Sequence, residues 1–167
     1  MANFKSGLIT AKDSVTAQIA RAAQGVEHAA PATYTSTGAL AANDIIFLAE
    51  IPVEARITSL RLWADDLGTT GTFDVGFYPG NLATSAIVHT NAVDKDAIGT
   101  AINVNSAAIN DVEIRFETLS TNTIEQAAWQ LAGLSARPAY DTFFVAITVN
   151  AATDAAGKIA AVIRYIP

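Results

Sequence analysis

At 167 residues and 17.4 kDa the chain has the length of one domain, and with 51% hydrophobic residues and a mean hydropathy of +0.30 it excludes disorder over most of that length. A net charge of −6 argues against nucleic acid or an anionic membrane as partner, and the absence of cysteine excludes a disulfide framework, a thiolate zinc site and a cysteine nucleophile. Only 16% of the residues are charged, low for a free monomer, which implies that other protein covers part of the surface.

Residues 1–31 read as an N-terminal arm and residues 32–167 as a single β domain. The arm is rich in Ala, Ser, Thr and Gln, with Phe4, Leu8, Ile9, Val15, Ile19 and Val26 scattered thinly through it. Lys5, Lys12 and Asp13 leave no apolar stretch for a signal peptide, and no run anywhere reaches the roughly 18–20 apolar residues of a membrane span. An arm of this kind gains order by lying on another surface.

Strand signals begin at Ala32–Thr37 and strengthen at Asp44–Ile51, where Ile45, Phe47, Ala49 and Ile51 share one face and Ile46 and Leu48 the other. A strand apolar on both faces is covered on both. Pro52 ends it, and Pro52–Ala55 turns into the centre of the chain. Arg56–Tyr78 reads as a long hairpin around Leu67-Gly68-Thr69-Thr70-Gly71. Period-two alternation directs Thr58, Leu60, Leu62 and Ala64 inward in its first strand and Phe73, Val75 and Phe77 in its second. Pro79-Gly80-Asn81 is expected to stop the second strand.

Further on, Ala86–Thr90 and Ile102–Val104 are short strand candidates separated by a turn at Asn91–Asp96. Asp111–Leu119 alternates, with Val112, Ile114 and Phe116 inward. One helix is expected at about 123–134, where Ile124, Ala127, Ala128, Leu131 and Leu134 fall at helical spacing. Thr123 with Gln126 fits a capping box, and Gly133 and Pro138 bracket the end. Asp141–Val149 and Gly157–Ile166 close the chain, directing Phe143, Val145, Ile147 and Val149, then Ile159, Ala161, Ile163 and Tyr165, to the core. Eight strands and one helix predict an all-β, antiparallel two-sheet sandwich, with a jelly roll the preferred topology.

No catalytic or cofactor site is visible. His28 and His89 lack a GxSxG elbow or any other nucleophile signature and read as ordinary polar residues. Asp65-Asp66, Asp94-Lys95-Asp96 and Asp154 lack a calcium-loop pattern and read as solvated turn residues, so no metal is expected. The glycines at 68 and 71 do not form a phosphate-binding loop. The candidate sites are instead apolar groups that the alternation turns away from the core, Trp63, Phe144 and Val162. Each forfeits about 1.5–3 kcal/mol if left in water, so the helix, the arm or another subunit is expected to cover them. With the arm residues Phe4, Leu8 and Ile9 they form the candidate interaction set.

The run Ala128-Trp129-Gln130-Leu131-Ala132-Gly133-Leu134-Ser135-Ala136-Arg137-Pro138, then Tyr140-Asp141, then Asn150–Gly157 and the closing Arg164-Tyr165, resembles a group of small virion structural proteins of tailed bacteriophages. Ala55–Leu62 and Asp74–Tyr78 share the resemblance, which runs from about Tyr34 to Tyr165. It implies a capsid decoration, or cement, protein: a non-enzymatic homotrimer on the outer surface of the virion head. Its partners would then be the major capsid protein and itself, with no cofactor, no nucleic acid and no membrane. The alternatives are a tail or fibre component contacting the host and a carbohydrate-binding β-sandwich module, or an esterase or glycosidase on that scaffold.

Overall fold

The computed structural model describes residues 3–5, 26–81, 86–87, 92–105, 107–114 and 125–167. The strands are β1 (Asn3–Lys5), β2 (His28–Thr35), β3 (Ile45–Pro52), β4 (Arg56–Ala64), β5 (Thr72–Asn81), β6 (Ala86–Ile87), β7 (Asp94–Asn103), β8 (Ile109–Glu113), β9 (Thr142–Ala151) and β10 (Lys158–Ile166). One helical turn, α1 (Ala128–Leu131), lies between β8 and β9.

One sheet has the order β2-β10-β4-β8, and the other the order β1-β3-β9-β5, with β6 and β7 both pairing β5. Successive long strands alternate between the sheets except for β5 and β7, which pair with each other. That is jelly-roll connectivity. Every long-strand pairing is antiparallel, while the short β1 lies parallel on β3.

The main core fills the space between the sheets. The inward sets Leu60, Leu62 and Ala64, Phe73, Val75 and Phe77, the four from Phe143 to Val149, and the four from Ile159 to Tyr165 all lie in it. Six-stranded and four-stranded faces meet there as period two requires.

Four expectations are corrected. The centre of the chain is no hairpin: β4 pairs β10 and β8 in one sheet, while β5 pairs β9 and β7 in the other. Leu67 is buried in the main core beneath the connection between them, so residues 65–71 arch over the sandwich edge. The expected faces of β4 and β3 also hold only in part, because each strand carries a bulge. On β4, Ser59 faces Arg164 and Ile57 faces Tyr165, so Thr58 is the extra residue and Ile57, not Thr58, is buried. On β3, Phe47 faces Ala146 and Ala49 faces Val145, so Leu48 is the extra residue. Ala49 and Ile51 thereby switch into the main core with Ile46 and Leu48. A bulge adds one residue and flips every later side chain.

The third correction is at Pro79-Gly80-Asn81, which continues β5 rather than ending it; Pro79 and Gly80 pair Phe143 and Thr142 of β9. Likewise β7 begins at Asp94, inside the expected turn, and β2 begins at His28, before Ala32. The fourth is the helix, which is one turn long. Its N-cap is Ala127, whose N–H donates to the Gln130 side chain at 3.0 Å; Thr123, half of the expected capping pair, lies outside the described residues. Gly133, at φ +71, ends it as expected: its N–H reaches Gln130 and that of Leu134 reaches Trp129, satisfying the last carbonyls. Ile124, Phe116, His89, Leu8 and Ile9 lie outside the described residues.

Candidate interaction surface

The two sheets treat their outer faces differently. Behind β3, β9 and β5 the outer face holds a second buried cluster of Ile45, Phe47, Tyr78, Phe144 and Ala146, with Ala92 packed against it. Phe47 meets Tyr78 and Phe144 edge to face at 5.4 and 5.5 Å. The polar groups on this face satisfy one another: the Tyr78 and Thr148 hydroxyls lie 2.8 Å apart, and Thr142 donates to Glu50. Burial raises the Tyr78 hydroxyl above the ordinary tyrosine value.

Part of that cover is the chain's own backbone. A Cβ at Gly76 would sit 2.1 Å from the Asp94 carbonyl oxygen and 2.4 Å from the Lys95 carbonyl carbon, so the start of β7 crosses directly over β5. Asp74, on the same face and almost wholly buried, anchors this crossing. Its carboxylate takes Lys95 Nζ at 2.9 Å and the Ala101 N–H at 2.8 Å, and Ala101 is held at φ 50. The Asp74 hydrogen bond raises Lys95 above the ordinary lysine value. Sequence periodicity placed Asp74 outward and missed its role; the signal was an acid set among Phe73, Val75 and Phe77.

The outer face of the β2-β10-β4-β8 sheet is more exposed. Register sets Val162 between Pro31 and Arg61, and Ala160 between Thr33 and Trp63. Trp63, Ala160 and Val162 are half-buried, while Pro31, Thr33, Arg61 and Arg164 are exposed. Charges rim the patch: Arg61 pairs Asp111 at 2.7 Å and Arg164 pairs Glu27 at 3.2 Å. Hydrogen bonds from Thr58, then from Arg164, hold the Glu27 carboxyl below its ordinary value. An apolar centre with a charged rim matches the general anatomy of protein–protein contacts.

Of the candidate set, the structure thus brings Trp63 and Val162 together on one face and sends Phe144 to the other, where it is buried. Phe4 lies in β1, opposite Ile46. α1 covers neither outer face: the N–H groups of Ala128 and Trp129 donate to Ala55 and Val53, so it caps the end of the sandwich. Trp129 Nε1 and Arg137 both reach Glu54 there, at 3.2 and 2.7 Å.

The acids read as turn residues hold backbone. Asp154 accepts from the Thr69 hydroxyl and from the N–H groups of Thr69 and Thr70 across the β4–β5 arch, and these bonds lower its carboxyl from the ordinary aspartate value. Asp65 accepts the Lys158 N–H and Asp66 the Gly68 N–H. Asp94, first in β7, is raised, chiefly by burial. His28 opens β2 half-buried, its ring 5.8 Å from that of Tyr165. Among the described residues no group of three or more acids and histidines is placed to hold a metal ion, and no helix is long and apolar enough to cross a membrane.

No family model and no curated protein matches the chain. Among solved structures, a chain of the capsid of Ralstonia phage GP4 superposes with a TM-score of 0.70 at 24% identity, over 99% of this chain and 97% of that one. The jelly roll is similar to that of a capsid chain. A chain from the capsid asymmetric unit of cyanophage Pam1 aligns at TM-score 0.47 and 20% identity, over 92% of this chain and 97% of its own length. One from the acid-stable capsid of Helicobacter pylori bacteriophage KHP30 aligns at 0.45 and 15%, over 87% and 90%.

Proposed function

We propose that the chain is a non-enzymatic structural protein of a phage virion, and within the virion a decoration protein on the outside of the head. The whole-length likeness to a chain of the Ralstonia phage GP4 capsid carries the reading. That counterpart is as small as this chain, since the alignment covers nearly all of both, which favours an accessory sandwich over a larger shell subunit. The acids support a structural role too: Asp65, Asp74 and Asp154 spend their oxygens on backbone N–H groups and a lysine that fix strand connections.

The face around Trp63 and Val162 then meets either the major capsid protein or another copy in a homotrimer, and the arm with Phe4, Leu8 and Ile9 extends the contact. Phe144 drops out of this set because it is buried within the fold. A protein that binds only the assembled capsomers stabilises them by mass action, with no chemistry required. The experiment is to image the intact particle and count copies. Hundreds on the outer head surface are expected. Placement at the tail in a few to dozens of copies would overturn the decoration reading in favour of a tail component, and glycan binding without particle binding would favour a carbohydrate module.

A further inference from the structure

Among the described strands β1 pairs in parallel, while the other pairs are antiparallel. β1 lies on β3 with Asn3 opposite Ile45, Phe4 opposite Ile46 and Lys5 opposite Phe47. A parallel pair cannot be closed by a tight turn and needs a crossover, which here is the chain between Lys5 and His28. β2 and β3, where that crossover must arrive, contact each other across the sandwich, and facing sheets lie about 10 Å apart. The connecting stretch spans up to about 70 Å at roughly 3.3 Å per residue.

We infer that β1 is an exchange strand: where copies of this chain are assembled, it pairs in the same register with β3 of a second copy. The acceptor is rigid, because every side chain from Ile45 to Ile51 is buried and β3 is held along its other edge by β9. The three residue pairs are the same whichever copy supplies β1, so the choice between closed and exchanged forms turns on connector entropy and local concentration. Dilute chains close on themselves. Crowded chains, with neighbours inside the reach of the connector, exchange. The inference needs only a second copy nearby and stands whether or not that copy sits on a capsid.

The chain has no cysteine, so disulfide trapping reads the register directly. Chains carrying only Asn3→Cys are mixed with chains carrying only Ile45→Cys, oxidised across a concentration series and again in the assembled state. The double variant Asn3→Cys/Ile45→Cys reports the closed form. A disulfide-linked heterodimer that rises from trace to major species with concentration is expected. Internal closure of the double variant with no heterodimer at any concentration or in the assembly would overturn exchange; failure of both to link would overturn it as well, by removing β1 from β3. Should Ile45→Cys fail to fold, Phe4→Pro decides, since a proline in the short β1 removes a backbone donor from its pairing with β3. It should shift sedimentation of concentrated protein to smaller species, and an unchanged distribution would sink the idea.

Discussion

At Gly76 the chain crosses its own sheet with no room for a side chain, and the energetic consequence is specific. Gly76→Ala forces the Asp94–Lys95 backbone away from β5 and strains the Asp74–Lys95 pair, a cost of about 3 kcal/mol. Gly38→Ala, with nothing within 4 Å of its Cβ, should stay within about 0.5 kcal/mol. Denaturant midpoints of the two variants check this, and equal effects would remove the crossing. Asp154 makes a pH prediction. Its carboxyl is lowered in the folded state by the Thr69 and Thr70 bonds, so its contribution is present above the ordinary aspartate value and fades as pH falls through the folded one. Wild type should therefore melt above Asp154→Asn at pH 6–7, and the gap should close as pH drops from about 4. A gap that persists at pH 2 would mean the asparagine disturbs the arch sterically. Residues of this kind were the least readable from sequence. The inward sets of β5, β9 and β10 followed from alternation alone, whereas Asp74 and Asp154 owe their roles to partners 21 or more positions away.

At the scale of elements, strand existence was readable and strand pairing was not. Alternation states that Arg56–Ala64 and Thr72–Phe77 are strands; it is silent on whether a glycine-bounded connection joins neighbours in one sheet or arches between two. Bulges at Thr58 and Leu48 were equally invisible, since an extra residue leaves local composition unchanged while reversing the faces beyond it. Helical spacing continues past the turn itself, over residues such as Ala127 and Leu134 that lie outside Ala128–Leu131. The same reasoning moves the proposed boundary of the arm. His28, Ala29, Ala30 and Pro31 pair Tyr165, Arg164, Ile163 and Val162, so half of β2 lies inside the stretch read as arm. Removing residues 1–31 should lower the melting temperature markedly, while removing residues 1–26 should retain most of the sandwich's stability. Identical melts for the two truncations would return the boundary to residue 31.

At the scale of the whole molecule the two outer faces differ, and the proposed partner contact rests on that difference. The face behind β3, β9 and β5 is already filled by Phe47, Tyr78 and Phe144, so a partner could gain little there. The Trp63 face offers a half-buried aromatic beside Ala160 and Val162, ringed by Arg61, Arg164 and their acids. Binding energy at such contacts concentrates on a few central aromatic or arginine side chains, each worth about 2 kcal/mol or more on truncation. Trp63→Ala should therefore weaken attachment to the particle roughly thirtyfold, at about 1.4 kcal/mol per factor of ten, while the variant still folds. Arg137→Ala, which loses exposed bonds to Glu54, Asp141 and the Pro138 carbonyl at the helix end of the sandwich, should attach normally. Occupancy on stripped particles, titrated against free protein, gives both numbers. Because saturation at a hundredfold excess over Kd adds about 2.7 kcal/mol per site, particles titrated with wild type should also resist heat better than those given equal Trp63→Ala. Equal occupancy for Trp63→Ala and wild type would move the contact off this face and leave the arm as the attachment element.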